Sequence, residues 1–231
     1  MKRESDGVFA PRSSLWGAEW SASEVVRLLE PLVVDARRER LLAVIGDRIG
    51  SVTVLMDAPH DPHNGAAVLR SCDAFGVPVV HVVPRREAFL VAGSVAKGTE
   101  RWVDVVEHPN AESAIGALES AGYELVATHP KGELEPEDLR ALPRVCLVLG
   151  NEHEGISEAL SRAARRSVKI PMRGFVESLN VSVSAAILLR AATLNRTGDL
   201  PAEARELAYA RALFHSVGRA SEILQAARRL P

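Results

Sequence analysis

The feature that most constrains the fold is an alternation that begins at Val52. Six short, β-branched runs follow one another: VTVLM (52–56), VPVVHVV (77–83), WVDVV (102–106), YELVAT (123–128), VCLVLG (145–150) and SVKIP (167–171). Each is apolar almost throughout, as expected of strands covered on both faces, whereas strands covered on one face alternate. Between them lie helical spacings in AAVLRSCDAF (66–75), AESAIGALESAG (111–122) and ISEALSRAAR (156–165). Strand alternating with helix in this way predicts an α/β fold, a parallel sheet with helices on both faces.

The ends read differently. VSVSAAILLRAATLN (181–195), AEARELAYARALF (202–214) and ASEILQAARRL (220–230) predict closing helices, with Pro201 and Gly218 as breaks. Residues 1–23 carry Trp16 and Trp20 but no clear period, and are expected to form a poorly ordered or loosely docked extension. Ser23 is placed to cap a helix through Leu29, ahead of Pro31. A second helix is expected from Asp35 to Ile45, with Leu41, Leu42 and Ile45 on one face and Arg37, Arg38 and Arg40 elsewhere. The expected organisation is an extension over 1–34, one α/β domain over 35–197 with its leading helix, and a helical extension over 198–231.

Composition sets outer limits. Hydrophobic residues are 47% of the chain and aromatics 4%, so Val, Leu, Ile and Ala must fill a substantial core and wholesale disorder is excluded. Cys72 and Cys146 lie in apolar stretches and read as reduced, buried thiols. The start lacks the apolar run of a signal peptide, and no segment approaches the ~18 apolar residues of a membrane span, so a cytoplasmic location is expected. A net charge of −2 argues weakly against a dedicated nucleic-acid binder. The charge is uneven, however. From Arg190 onward there are seven Arg against four acids, and ARRER (36–40) adds three Arg against one Glu, a distribution that permits RNA binding.

Ligands of open α/β sheets bind at the carboxyl ends of the strands. The less ordinary residues of this chain gather at three such exits: DAPHDPHNGAAVLR (57–70), GNEHEGIS (150–157) and PMRGFVESLNVSVS (171–184). Their Gly, Asn, Glu and Ser suit a polar cofactor held by backbone groups. If Asn64 opens a helix, Arg70 is expected almost two turns along on roughly the same side. Taken singly, each residue also has an ordinary reading. Asn64 serves as a helix cap, Arg70 and Glu152 as solvated charges, Gly150 and Gly155 as turn residues, and Ser178 or Asn180 as the cap of the next helix. The joint placement at three exits is what points to a site. There is no GxGxxG, no GxxxxGK[ST] and no GxSxG in the chain, and His60 and His63 lack further ligands nearby, so no metal is expected.

With those three segments quoted, the chain resembles the SpoU/TrmH RNA 2′-O-ribose methyltransferases of the SPOUT superfamily. The resemblance spans about Arg37 to about Leu194 and rests on the order of HNGAAVLRSCDAFGV, LVLGNEHEGIS and IPMRGFVESLNVSVSAAILL. It is strongest toward the members that act on guanosine 18 of tRNA, through PHN, ATH (127–129) and SLNVSV. The resemblance implies S-adenosylmethionine as methyl donor and a ribose 2′-hydroxyl of structured RNA as acceptor, tRNA first and rRNA as the alternative. It also implies a homodimer and a carboxyl-terminal trefoil knot, a rarity that periodicity does not reveal. By this likeness Arg70 is the catalytic arginine supported by Asn64, and Glu152, Ser178 and Asn180 complete the polar set. Thr128, Gly150, Ile170 and Leu179 line the cofactor pocket, and Arg37, Arg38 and Arg40 are candidate RNA contacts. The first 30 or so residues match nothing in the family, and the terminal helices are less basic than a strong tRNA grip implies.

Overall fold

A computed structural model describes residues 15–84, 101–151 and 154–228. Its described residues cluster into two compact units, one within 49–196 and the other within 15–48 together with 197–228. The leading helix Asp35–Gly46 thus groups with the terminal helices, which sets the observed division apart from the expected boundary at residue 34.

The first unit is built on a six-stranded sheet in the order β3-β2-β1-β5-β4-β6. The strands are β1 Val52–Asp57, β2 Val79–Val83, β3 Asp104–Glu107, β4 Glu124–Thr128, β5 Val145–Leu149 and β6 Arg166–Val168. All five strand pairs are parallel. Among the described residues the helices, in chain order, are α1 Ala22–Leu29, α2 Asp35–Gly46, α3 Pro62–Ala74, α4 Ala111–Ser120, α5 Glu158–Ala163, α6 Val181–Thr193, α7 Ala202–Ser216 and α8 Ala220–Ala227. Short 3₁₀ turns occupy Glu30–Leu32 and Pro136–Ala141.

The continuous apolar runs have the expected physical cause. Successive strand side chains point to opposite faces, and each face carries a core. Val54, Met56, Leu147 and Leu149 join Val68, Leu69 and Cys72 of α3 and Leu188 and Leu189 of α6 on one side. Leu55, Cys146 and Val148 join Ala114 and Leu118 of α4 and Leu160 of α5 on the other. Cys72 and Cys146 are both buried and outside any disulfide, as read from the sequence. Burial pushes the Cys146 thiol far up, which leaves it inert.

Element ends differ from expectation for local reasons. Helix α3 starts at Pro62 rather than at residue 66, because Asp61 accepts from the His63 amide (2.8 Å) and Pro62 takes the first helical turn. Strand β6 stops at Val168, and the turn at Pro136–Ala141 was not foreseen. One arrangement near β6 matters for the site. Val168 pairs with Thr128 of β4 on one edge and with Leu134 on the other. The His129 amide donates to the Val168 carbonyl, while the Leu134 amide donates to Ser167 and the Lys169 amide to Leu134, each at 3.0 Å. Successive backbone groups of a strand face opposite edges, so residues 129–134 pass around the chain at 167–169. Gly132 sits at the crossing, where a Cβ would lie 2.6 Å from the Val168 carbonyl carbon. The amide and hydroxyl of Ser167 also donate to the Glu133 carboxylate (3.0 and 2.6 Å) and hold it below the usual carboxylate range.

The second unit is helical. Ser21, not Ser23, caps α1, in a reciprocal box with Glu24. Trp16 is buried against Phe214 of α7 and its indole N–H donates to the Trp20 carbonyl, so the segment from residue 15 is docked rather than loose. Tyr209 of α7 donates to Glu30 (2.6 Å). On α2, Leu41 and Ile45 are buried as expected, but Leu42 is exposed. Among the described residues no helix is long and apolar enough to cross a membrane.

Candidate active site

In the strand order the direction of winding reverses between β1 and β5, the point at which open α/β sheets place their ligands. A cavity of about 530 Å³ opens beside it, at the carboxyl ends of β4, β5 and β6. That volume is within the ~300–1,000 Å³ typical of small-molecule sites. Thr128, Gly150, Ile170 and Leu179, together with Ser178 and Asn180, all line it. Sequence positions up to 52 apart thus converge on one wall-to-wall space.

Three exits build the walls. Strand β4 delivers Thr128, whose hydroxyl donates to the Val148 carbonyl (3.0 Å) and so fixes the side chain at the rim. The next residue, His129, accepts the Lys131 amide on Nδ1 (3.1 Å). Strand β5 ends at Gly150. A Cβ there would meet the Gly155 carbonyl carbon at 2.3 Å, because Asn151 and Gly155 exchange backbone hydrogen bonds of 3.1 Å in a tight return. Gly150 is therefore demanded by close approach rather than by turn geometry. Gly155, at φ +71°, is the residue whose backbone favours glycine.

The third exit, from β6, leads to α6. Asn180 caps that helix, its Oδ1 accepting from the Ser182 amide and hydroxyl (2.8 and 2.6 Å). Its Nδ2 donates to Oδ1 of Asn64 on α3 (3.0 Å). The capping role and the site role thus belong to the same side chain. Asn64 itself is not a cap but lies in the first turn of α3 and lines a smaller cavity with Asp57, Gly150 and Val181.

Arg70 is placed differently from the sequence expectation. Six residues at ~100° each carry it ~120° around the helix from Asn64, not onto the same side. It is exposed on α3 and lines neither cavity. Glu152 falls outside the described residues. Arg37 and Arg40 are exposed on α2, and Arg38 is half-buried and pairs with Asp35 (3.0 Å).

The sequence reading did not single out His129, Asn151, Met172, Glu177 and Ser184, which also line the cavity. Nor did it single out Asp57, a carboxylate ending a strand that is otherwise apolar apart from Thr53. That contrast in polarity was a legible signal.

Residues 51–190 match the SpoU rRNA Methylase family. The chain belongs to that family. It is 36% identical to the tRNA (guanosine(18)-2′-O)-methyltransferase of Thermus thermophilus over 161 residues, covering 67% of this chain and 80% of that one. Among solved structures it is similar to the TrmH/SpoU tRNA modifying enzyme of A. aeolicus, with a TM-score of 0.70, 26% identity, and coverage of 80% of this chain and 98% of that one. It is also similar to the SpoU methyltransferase AviRb from Streptomyces viridochromogenes, solved in complex with the cofactor AdoMet. There the TM-score is 0.55 and the identity 27%, over 64% of this chain and 57% of that one.

Proposed function

We propose that the protein transfers the methyl group of S-adenosylmethionine to the 2′-oxygen of guanosine 18 in tRNA. The observation that carries this reading is the convergence of Thr128, Gly150, Ile170, Ser178 and Leu179 on one cavity at the strand ends. Its lining fits the donor's mixed chemistry. Leu149, Ile170 and Leu188 offer apolar surface, while Thr128, Asn151, Ser178 and Ser184 offer hydrogen-bonding groups. When bound, S-adenosylmethionine supplies an activated methyl on a sulfonium. The chain's part is to hold reactants in line, since positioning lowers such barriers by itself. Asn180 and Asn64 tie the third exit to α3 and so set where a ribose rests.

Arg70 contacts the incoming RNA. A guanidinium offers a fixed fork of N–H donors and no acceptor, so its role is to orient the 2′-hydroxyl and a neighbouring phosphate. Glu152 belongs to the same polar set. Because Arg70 is exposed and lines neither cavity, a second copy of the chain is the natural provider of the facing surface, and we read the protein as a homodimer. Fully exposed Phe175, with exposed Val176, Val183 and Ile187 along the third exit and α6, supports that reading. The wrap of residues 129–134 around 167–169 supports a trefoil knot through β6. Arg37, Arg38 and Arg40 on α2 are proposed RNA contacts of the helical unit, and Cys72 and Cys146, buried and outside any disulfide, fit a reducing cytoplasm.

The test is methylation of unmodified tRNA and rRNA transcripts with labelled S-adenosylmethionine, with the modified nucleotide mapped. A 2′-O-methyl group at guanosine 18 of tRNA is expected. Methylation confined to rRNA would move the substrate, and no transfer to either would overturn the reading.

A further inference from the structure

The residue that ends β1 has a role that the cavity lining does not reveal. Asp57 is only 5% exposed. A buried carboxylate is costly unless something specific satisfies it. Its Oδ2 accepts the backbone N–H of Ser157 at 2.6 Å, across 100 residues of sequence. Ser157 closes the exit loop of β5. Strands β1 and β5 are neighbours, with Met56 opposite Leu149, so Asp57 stands beside the point where that loop leaves the sheet. The loop is therefore pinned twice. The Asn151–Gly155 exchange folds it back, and Asp57 fastens its returning end. Gly150, Asn151, Gly155 and Ile156 of the fastened loop all line the large cavity, and Asp57 does not.

We propose that Asp57 is a positioning residue for the methyl donor: through the Ser157 amide its carboxylate holds residues 154–157 against Gly150 and Asn151, where they form the donor's wall. This rests on the reading of the cavity as the S-adenosylmethionine site. A hydrogen bond to a charged acceptor is the strong kind, and here it acts on backbone that faces the ligand. The effect of losing it falls on donor affinity more than on RNA affinity.

Ser157 offers a matched second perturbation. Its φ of −59° is the value proline imposes, so Ser157→Pro removes the N–H that Asp57 accepts while keeping φ. Titration calorimetry with S-adenosylmethionine alone is the measurement, with methylation kinetics beside it. Asp57→Ala and Ser157→Pro are each expected to weaken donor binding about tenfold or more, the scale of one charge-assisted hydrogen bond. KM for S-adenosylmethionine rises with it, while KM for tRNA stays within about twofold. Asp57→Asn, which keeps an acceptor, is expected to retain most of the affinity. In a double-mutant cycle the two changes share one loss instead of adding.

Unchanged donor affinity in both variants, with wild type binding normally, would overturn the role of Asp57 alone. Fully additive losses would also overturn it, as would an Asp57→Ala defect that appears only as a lower melting temperature. Should Asp57→Ala fail to fold, Asp57→Asn and Ser157→Pro carry the same comparison. Wild-type protein that binds no S-adenosylmethionine would instead overturn the reading of the cavity, and this inference with it.

Discussion

Gly132→Ala probes the crossing of the 129–134 segment over β6. The added Cβ would stand 2.6, 2.7 and 2.9 Å from the Val168 carbonyl carbon, the Lys169 nitrogen and the Ser167 carbonyl carbon. All three are backbone atoms, so no side chain can swing aside and one of the two segments must move. Forced overpacking of this kind costs about 1–3 kcal/mol. Movement also lengthens the two 3.0 Å bonds that Leu134 makes with Ser167 and Lys169. At about 0.5–1.5 kcal/mol each, their loss brings the expected destabilisation to about 2–6 kcal/mol. For a chain of this length that is a fall in Tm of roughly 4–24 °C, read by circular dichroism and by the urea midpoint. Gly116→Ala is the control. Gly116 lies within α4 with nothing near its absent Cβ, so that change should stabilise by about 0.5–1 kcal/mol. A Gly132→Ala protein within about 0.5 kcal/mol of wild type, by the linear extrapolation of its urea curve, would refute the close crossing.

Four further expectations concern the site and its frame. Asn180→Ala removes the cap of α6 and the bond to Asn64, and should cost about 1 kcal/mol of stability alongside a larger loss of methylation rate. Arg70→Lys keeps the charge but not the planar fork, and should lower turnover at least tenfold, so near-wild-type rates would remove Arg70 from the reaction. His81 and His108 share a 2.9 Å hydrogen bond in the core; burial, reinforced by His108, holds His81 down to about 3, and burial also lowers His108. His81 is therefore neutral when folded while the unfolded chain takes up its proton below pH ~6.5, so its contribution to stability is fully present above that pH and declines by up to about 1.4 kcal/mol per pH unit as pH falls toward 3, with the lowered His108 acting in the same direction. A His81→Phe protein should show a shallower decline in urea midpoint between pH 6.5 and 4.5, and an unchanged slope would count against the buried pair. RNA affinity should fall steeply with salt, and a flat response between 50 and 200 mM would argue against phosphate contacts (both concentrations being on the order of those that separate such binders).

Much of this protein was legible in the chain itself. Continuous apolar runs such as VCLVLG can satisfy their side chains only between two layers, so a parallel sheet covered on both faces followed from local pattern alone. That the three exit loops would gather was legible for a related reason. Ligands of open α/β sheets sit at strand exits, so the loops rich in Gly and small polar residues pointed to one place, and Thr128, Gly150, Ile170 and Leu179, named by the family resemblance, line one cavity there. Tertiary structure alone decided the rest, because it depends on contacts between segments distant in sequence. Asp57 reads as a polar strand end until Ser157 arrives from 100 residues away, and Gly132 reads as a loop glycine until residues 167–169 pass beneath it. The reach of Arg70 was misjudged for the opposite reason, since its place depends on helix rotation and not on nearness along the chain. Local spacing fixes which face a side chain takes, and only the packing of distant segments fixes what that face meets.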